Sequence, residues 1–158
     1  MAAHTYQARV HWERGTAVFT DNRFSRAHRW HFDGGVDVPA SSSPYVVRVP
    51  LSEARAVDPE EALVAALSSC HMLFFLAFAA GKGFRVDDYG DDAAGVMGKN
   101  AQGRTAMVRV TLHPRVRFSG ERLPTRADIE ALHHRSHEEC FIANSVTTEV
   151  LIEPEWEA

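Results

Sequence analysis

Residues 58–83, DPEEALVAALSSCHMLFFLAFAAGKG, are the longest apolar run in the chain and hold one of its two cysteines near the middle. Asp58 suits a helix N-cap, Pro59 suits the first helical position, and Glu61 stands where its carboxylate can reach back to the cap. No helix breaker occurs from Ala62 to Ala80, and Gly81-Lys82-Gly83 supplies a stop. The stretch predicts one helix over 59–81, roughly 33 Å long at 1.5 Å per residue. Apolar side chains cover nearly its whole circumference, so it is expected to be a central helix surrounded by protein. A membrane span is the competing reading, because the uncharged run is about as long as a bilayer requires. The polar island Ser68-Ser69-Cys70-His71, the acidic start and a charged, strand-like remainder favour a buried helix.

The whole chain has 158 residues, 45% hydrophobic and 24% charged, which fits a single globular domain of the soluble α+β class. A formal net charge of -4 gives no support for nucleic-acid binding, which calls for a basic stripe. The opening MAAHTYQARV lacks the apolar segment of a secretory signal. The expected compartment is a reducing cytoplasm, where a cysteine needs a reason to be kept.

In order, the chain predicts a strand meander over 5–50, with strands at 5–13, 16–21, 26–32 and 45–49 and a loop over 39–44. The helix at 59–81 follows, then a hairpin over 84–118 turning at 99–103. Within it Val108, Val110 and Leu112 alternate with Arg109, Thr111 and His113, which predicts a sheet with one buried face. A second helix over 125–140 is expected to be capped by Thr125 with Asp128 three residues on, placing Ile129, Leu132 and Ser136 on one face and Cys140 at its end. A final strand over 145–152 is expected to join the same sheet.

Chemistry is most expected at Cys70 and Cys140. A buried free cysteine commonly behaves as a small hydrophobe. Yet Cys70 sits in a polar island and Cys140 in HEECFIAN, and buried polar groups are costly unless they line a site or are hydrogen-bonded.

DPEEALVAALSSC, with Glu60 ten positions before Cys70, and the downstream HEECFIANSVTTEV resemble the two cysteine motifs of the osmotically inducible protein C and organic hydroperoxide resistance family of thiol peroxidases. With the order strands, helix, hairpin, helix, strand, the resemblance covers nearly the whole chain. It implies antiparallel sheets wrapped around a long central helix in an intertwined homodimer. It further implies that Cys70 attacks a peroxide, Cys140 resolves it, and Glu60 is an acidic partner of an activating arginine, for which Arg14, Arg26, Arg29 and Arg48 are the candidates, Arg26 first and then Arg48. The substrate implied is an organic hydroperoxide and the reductant an external thiol or dithiol, with no bound cofactor and neither nucleic acid nor membrane as partner.

The chemistry suits these residues. The thiolate is the nucleophile, burial alone would keep a thiol protonated, and a guanidinium held by a carboxylate can stabilise the anion. The sulfenic acid formed by attack then condenses with a second thiol. Ten residues of straight helix span roughly 15 Å, so Glu60 meets Cys70 only through a kink or a partner chain. Met72, Leu73, Phe74, Phe75, Leu76 and Phe78 favour a substrate with a carbon tail, although core packing accounts for most of them. Among nine histidines, His133 and His137 share a helix face with Cys140. With His71 and Cys70 they offer more than enough ligands for an alternative two-Cys, two-His zinc site, disfavoured by the lack of a close cysteine pair. His71 and His137 are otherwise candidates to tune the thiols or to protonate the leaving alkoxide. A non-catalytic or ligand-binding dimer of the same fold is the remaining alternative.

Overall fold

The computed structural model describes residues 2–156. It falls into two compact units, Met1–Ala62 and Leu63–Ala158.

The first unit holds an antiparallel sheet of β1 (Ala8–His11), β2 (His28–Phe32) and β3 (Asp37–Ala40), in the order β1-β2-β3. Gly35, at φ +92°, lets the chain turn from β2 into β3. The meander differs from expectation in three places. Residues 16–21 form no strand, because Phe19 lies at φ 74° and Asn22 N–H closes a tight turn onto its carbonyl. Residues 45–49 are turns, with the Val46 and Val47 amides both bonded to the Ser43 carbonyl. The third strand is β3, placed partly in the expected loop and pinned by registry with β2. Phe19 is drawn onto Phe24 and Trp12, with ring centroids 4.6 and 5.7 Å away. Those aromatic contacts hold the segment as a folded loop.

Helix α1 (Pro59–Gly81) starts as its sequence requires. Asp58 N–H donates to Glu61 Oε1 at 2.9 Å and Glu61 N–H donates to Asp58 Oδ1 at 2.8 Å, a reciprocal capping box. It ends at Gly83, φ 79°, with Phe84 N–H returning to the Ala79 carbonyl.

In the second unit the expected hairpin is a long bent one. Its outer arms are β4 (Arg85–Asp91) and β7 (Pro114–Ser119); its inner arms are β5 (Ala94–Lys99) and β6 (Thr105–Leu112). Pro114 cannot donate to a ladder, and the break in pairing falls beside it. Strand β8 (Glu149–Ile152) joins β6 in parallel, whereas the other pairings among the described strands are antiparallel as expected. A parallel return is possible because helix α2 (Arg126–Glu139) and a 3-10 turn (Ala143–Ser145) carry the chain back to the other end of the sheet. Thr125 and Asp128 form the capping box of α2, and Cys140 is its C-cap.

Two apolar clusters pack α1. Phe75 and Ala79 meet Phe84 and Leu132, with Val86, Tyr89, Val116, Phe118 and Ile129 around them. Leu67 meets Val110 and Leu112 over β5, β6 and β8. The buried residues of α1, Leu67, His71, Phe75 and Ala79, recur every four positions and make a single stripe. The helix is therefore not enclosed on all sides within one chain, and Leu73 on another face is 60% exposed. By length and a mean hydropathy of 2.0, α1 meets the requirement for a membrane span.

Candidate functional site

Successive helical residues point about 100° apart, so the polar island of α1 sends its side chains in separate directions. Ser68 Oγ donates to Asp91 Oδ2 on β4, whose Oδ1 accepts the His113 N–H at 2.7 Å. Ser69 is exposed. Cys70 turns to Cys140, and His71 is buried against α2. The cost of polar groups in an apolar helix is thus offset by named partners for Ser68, Cys70 and His71.

The two thiols lie near each other, Cys70 half-buried and Cys140 only 1% exposed, and both are free. The Ala143 N–H points at Cys140 Sγ, 3.5 Å away. Burial pushes the Cys140 thiol up to about 11, with the neighbouring Cys70 adding to the rise and the Ala143 amide opposing it. One turn beyond Cys70, Phe74 meets Phe141 edge-on at 5.0 Å, so aromatic packing ties the end of α2 to α1 beside the thiols.

Behind the thiols His71 Nε2 and His133 Nδ1 stand 3.0 Å apart, their rings stacked. Burial lowers His71 to about 4, helped by His137, and lowers His133 to about 3, helped by His71. Both rings are neutral at pH 7. The grouping of His133, His137 and Cys140 on one face had suggested zinc, but His71 and His133 turn a nitrogen to each other. Among the described residues no group of three or more His, Cys, Asp or Glu is arranged to hold a metal. The bond between His71 and His133 had no signal in the sequence beyond their separate placement on two helices.

The other expected site residues belong to the first unit. Glu60 lies at the start of α1, half-buried, and its Oε2 is enclosed with no hydrogen-bond partner among the described residues. Since α1 is one unbroken helix, about 15 Å of it separates Glu60 from Cys70. Arg26 is engaged in its own loop, donating to the Asn22 carbonyl, the Phe24 carbonyl and Asn22 Oδ1 while lying 3.8 Å from the centre of the Phe24 ring. Arg48 is exposed in a turn.

Neighbouring thiols, one buried and one half-buried, on a capped apolar helix and a helix end make a candidate dithiol site. The family model described as OsmC-like protein matches residues 52–155, which include both cysteines and Glu60. The chain belongs to the OsmC-like family. An OsmC-like protein of unknown function from Vibrio cholerae is 53% identical over 97% of this chain and all of its own, with a TM-score of 0.95. This OsmC-like chain also matches, at 16% identity and a TM-score of 0.71, an organic hydroperoxide resistance protein OsmC from Legionella pneumophila, over 99% of this chain and 100% of the other. The organic hydroperoxide resistance protein OhrB of Bacillus subtilis matches at 17% identity and a TM-score of 0.66, over 98% and 100% of the two chains. The last two likenesses carry the OsmC-like fold alone. No curated protein matches the sequence.

Proposed function

We propose that this OsmC-like protein is a cytoplasmic, homodimeric thiol peroxidase that reduces organic hydroperoxides to alcohols. The observation that carries the reading is the proximity of the half-buried Cys70 to the buried Cys140. Cys70 thiolate attacks the O–O bond, which breaks to give a Cys70 sulfenic acid and an alkoxide that takes up a proton. Cys140 sulfur then attacks Cys70 sulfur, water leaves, and a disulfide remains for an external thiol or dithiol to reduce. Because Cys140 lies near Cys70, condensation competes with further oxidation of the sulfenic acid.

Glu60 is assigned the role of holding an arginine at the thiol, and its unpartnered Oε2 supports this. Arg48, whose guanidinium makes no hydrogen bond or ion pair among the described residues, is the better candidate, since Arg26 would first have to give up its loop contacts. The length of α1 between Glu60 and Cys70 favours their meeting across a dimer. The exposed face of α1, with Leu73 at its centre, is the surface a second copy would cover.

Reduced protein treated with one equivalent of cumene hydroperoxide is expected to lose both free thiols, form an intramolecular disulfide seen by mass, and release cumyl alcohol. Retention of both thiols with the peroxide unconsumed would overturn the reading.

A further inference from the structure

Helices α1 and α2 meet mainly through apolar side chains, Phe75 and Ala79 on one and Leu132 and Ile129 on the other. Such contacts are non-directional, so they hold the helices together without fixing where one stops along the other. Among the described residues a single hydrogen bond joins side chains of the two helices, between His71 Nε2 and His133 Nδ1 at 3.0 Å. Phe75, with its ring centroid 4.4 Å from that of His133, keeps the second ring in place.

This bond is a poor stabiliser. Each ring brings two nitrogens into the core and pairs one, so His71 Nδ1 and His133 Nε2 stay enclosed with no partner among the described residues. Whichever ring donates, one buried N–H lacks an acceptor, and an apolar pair of similar shape would avoid that cost. What the pair supplies instead is direction, because a buried hydrogen bond favours one placement of its helices over the neighbouring ones. Placement matters at the thiols. His71 follows Cys70 on α1, and Cys140 lies seven residues beyond His133, two turns along the same face of α2 at its cap. A slip of one residue moves a helix by about 1.5 Å, whereas the Cβ separations a disulfide accepts span only about 1 Å.

We propose that His71 and His133 are positioning residues, whose hydrogen bond sets the register of α2 on α1 and so presents Cys140 to Cys70 for disulfide formation. The inference rests on the reading of these cysteines as a disulfide-forming pair, which the parent protein tests by itself.

Reduced full-length protein is equilibrated in glutathione buffers of graded ratio. One oxidised glutathione takes two electrons from the dithiol, giving the Cys70–Cys140 disulfide and two reduced glutathiones. The fraction oxidised, read by mass after acid quench and maleimide labelling, gives the effective concentration of one thiol at the other. A parent that forms no such disulfide overturns the pair and the proposal with it. His71→Phe and His133→Phe should each lower the effective concentration about tenfold, the order of one buried hydrogen bond. The double variant should fall no further, because either substitution already removes the bond. His133→Asn, whose amide can stand where Nδ1 stood, should keep most of the parent value. With the parent disulfide formed, the proposal alone is overturned if the Phe variants match the parent or if His133→Asn behaves as His133→Phe. It is likewise overturned if effective concentration tracks the thermal midpoint through the parent, the two single Phe variants and the double, as a merely structural role requires.

Discussion

His71 Nε2 and His133 Nδ1, sixty-two residues apart in the chain, share a 3.0 Å contact in the core beside the thiol pair. Each ring is held below its ordinary value of 6.5, His71 at about 4 and His133 at about 3, chiefly by burial. The unfolded chain therefore binds more protons than the folded one below pH 6.5. The stability associated with neutral rings is fully present above that pH and is lost as pH falls toward 4 and then 3. Each histidine contributes a slope of up to about 1.4 kcal/mol per pH unit. Urea unfolding at intervals from pH 7 to 4.5 should show this decline, and a flat profile over that range would contradict the neutral pair.

The same contact predicts non-additivity. His71→Phe or His133→Phe alone leaves a buried ring nitrogen without its partner and should cost about 1–3 kcal/mol, whereas replacing both removes the need for the bond. The double variant should be destabilised by less than the sum of the singles, and its pH slope should be shallower. Chemical denaturation of the four proteins measures both effects.

The thiols should be distinguishable by alkylation. Cys70 is half-buried, while Cys140 is 1% exposed and its burial pushes the thiol up to about 11. With excess iodoacetamide at pH 8, peptide mapping should find Cys70 labelled first and Cys140 labelled at the rate of opening. In denaturant both should react alike.

Cys140→Ser removes the condensing thiol and should let a sulfenic acid at Cys70 accumulate after one equivalent of hydroperoxide, detectable by dimedone adduct mass. Continued peroxide consumption by Cys70→Ser would reverse the assigned roles.

The cap of α2 offers a test that leaves the thiols untouched. Thr125→Ala removes the side chain that accepts the Asp128 N–H at 3.2 Å and should cost about 1 kcal/mol. Thermal unfolding would register it as a lower midpoint with peroxide consumption intact.

Both helices were legible because their signals are local. Asp58 with Glu61, and Thr125 with Asp128, each close a box within one turn, so neighbouring residues suffice to place the start. Strands of the first unit were less legible. Residues 16–21 alternate acceptably as a strand, yet Phe19 adopts a positive φ and stacks on Phe24, and no pattern in the segment announces that aromatic partner. Strand β3 contains Pro39 and lies partly in a Ser- and Pro-rich stretch; only its pairing with β2 makes it a strand. The parallel seat of β8 likewise depends on where α2 delivers the chain.

The sequence by itself determined the central apolar helix, its capped ends, the two cysteine motifs and, through them, the family. Periodicity, caps and motif spacing are written in neighbouring residues. Only the tertiary structure decided which way each member of the polar island faces. It set Cys70 near Cys140 and His71 against His133, left Glu60 Oε2 without a partner among the described residues, and occupied Arg26 within its own loop. The two pairings across α1 and α2 are meetings between residues distant in the chain, produced by packing α2 against one side of α1, and no local pattern encodes them.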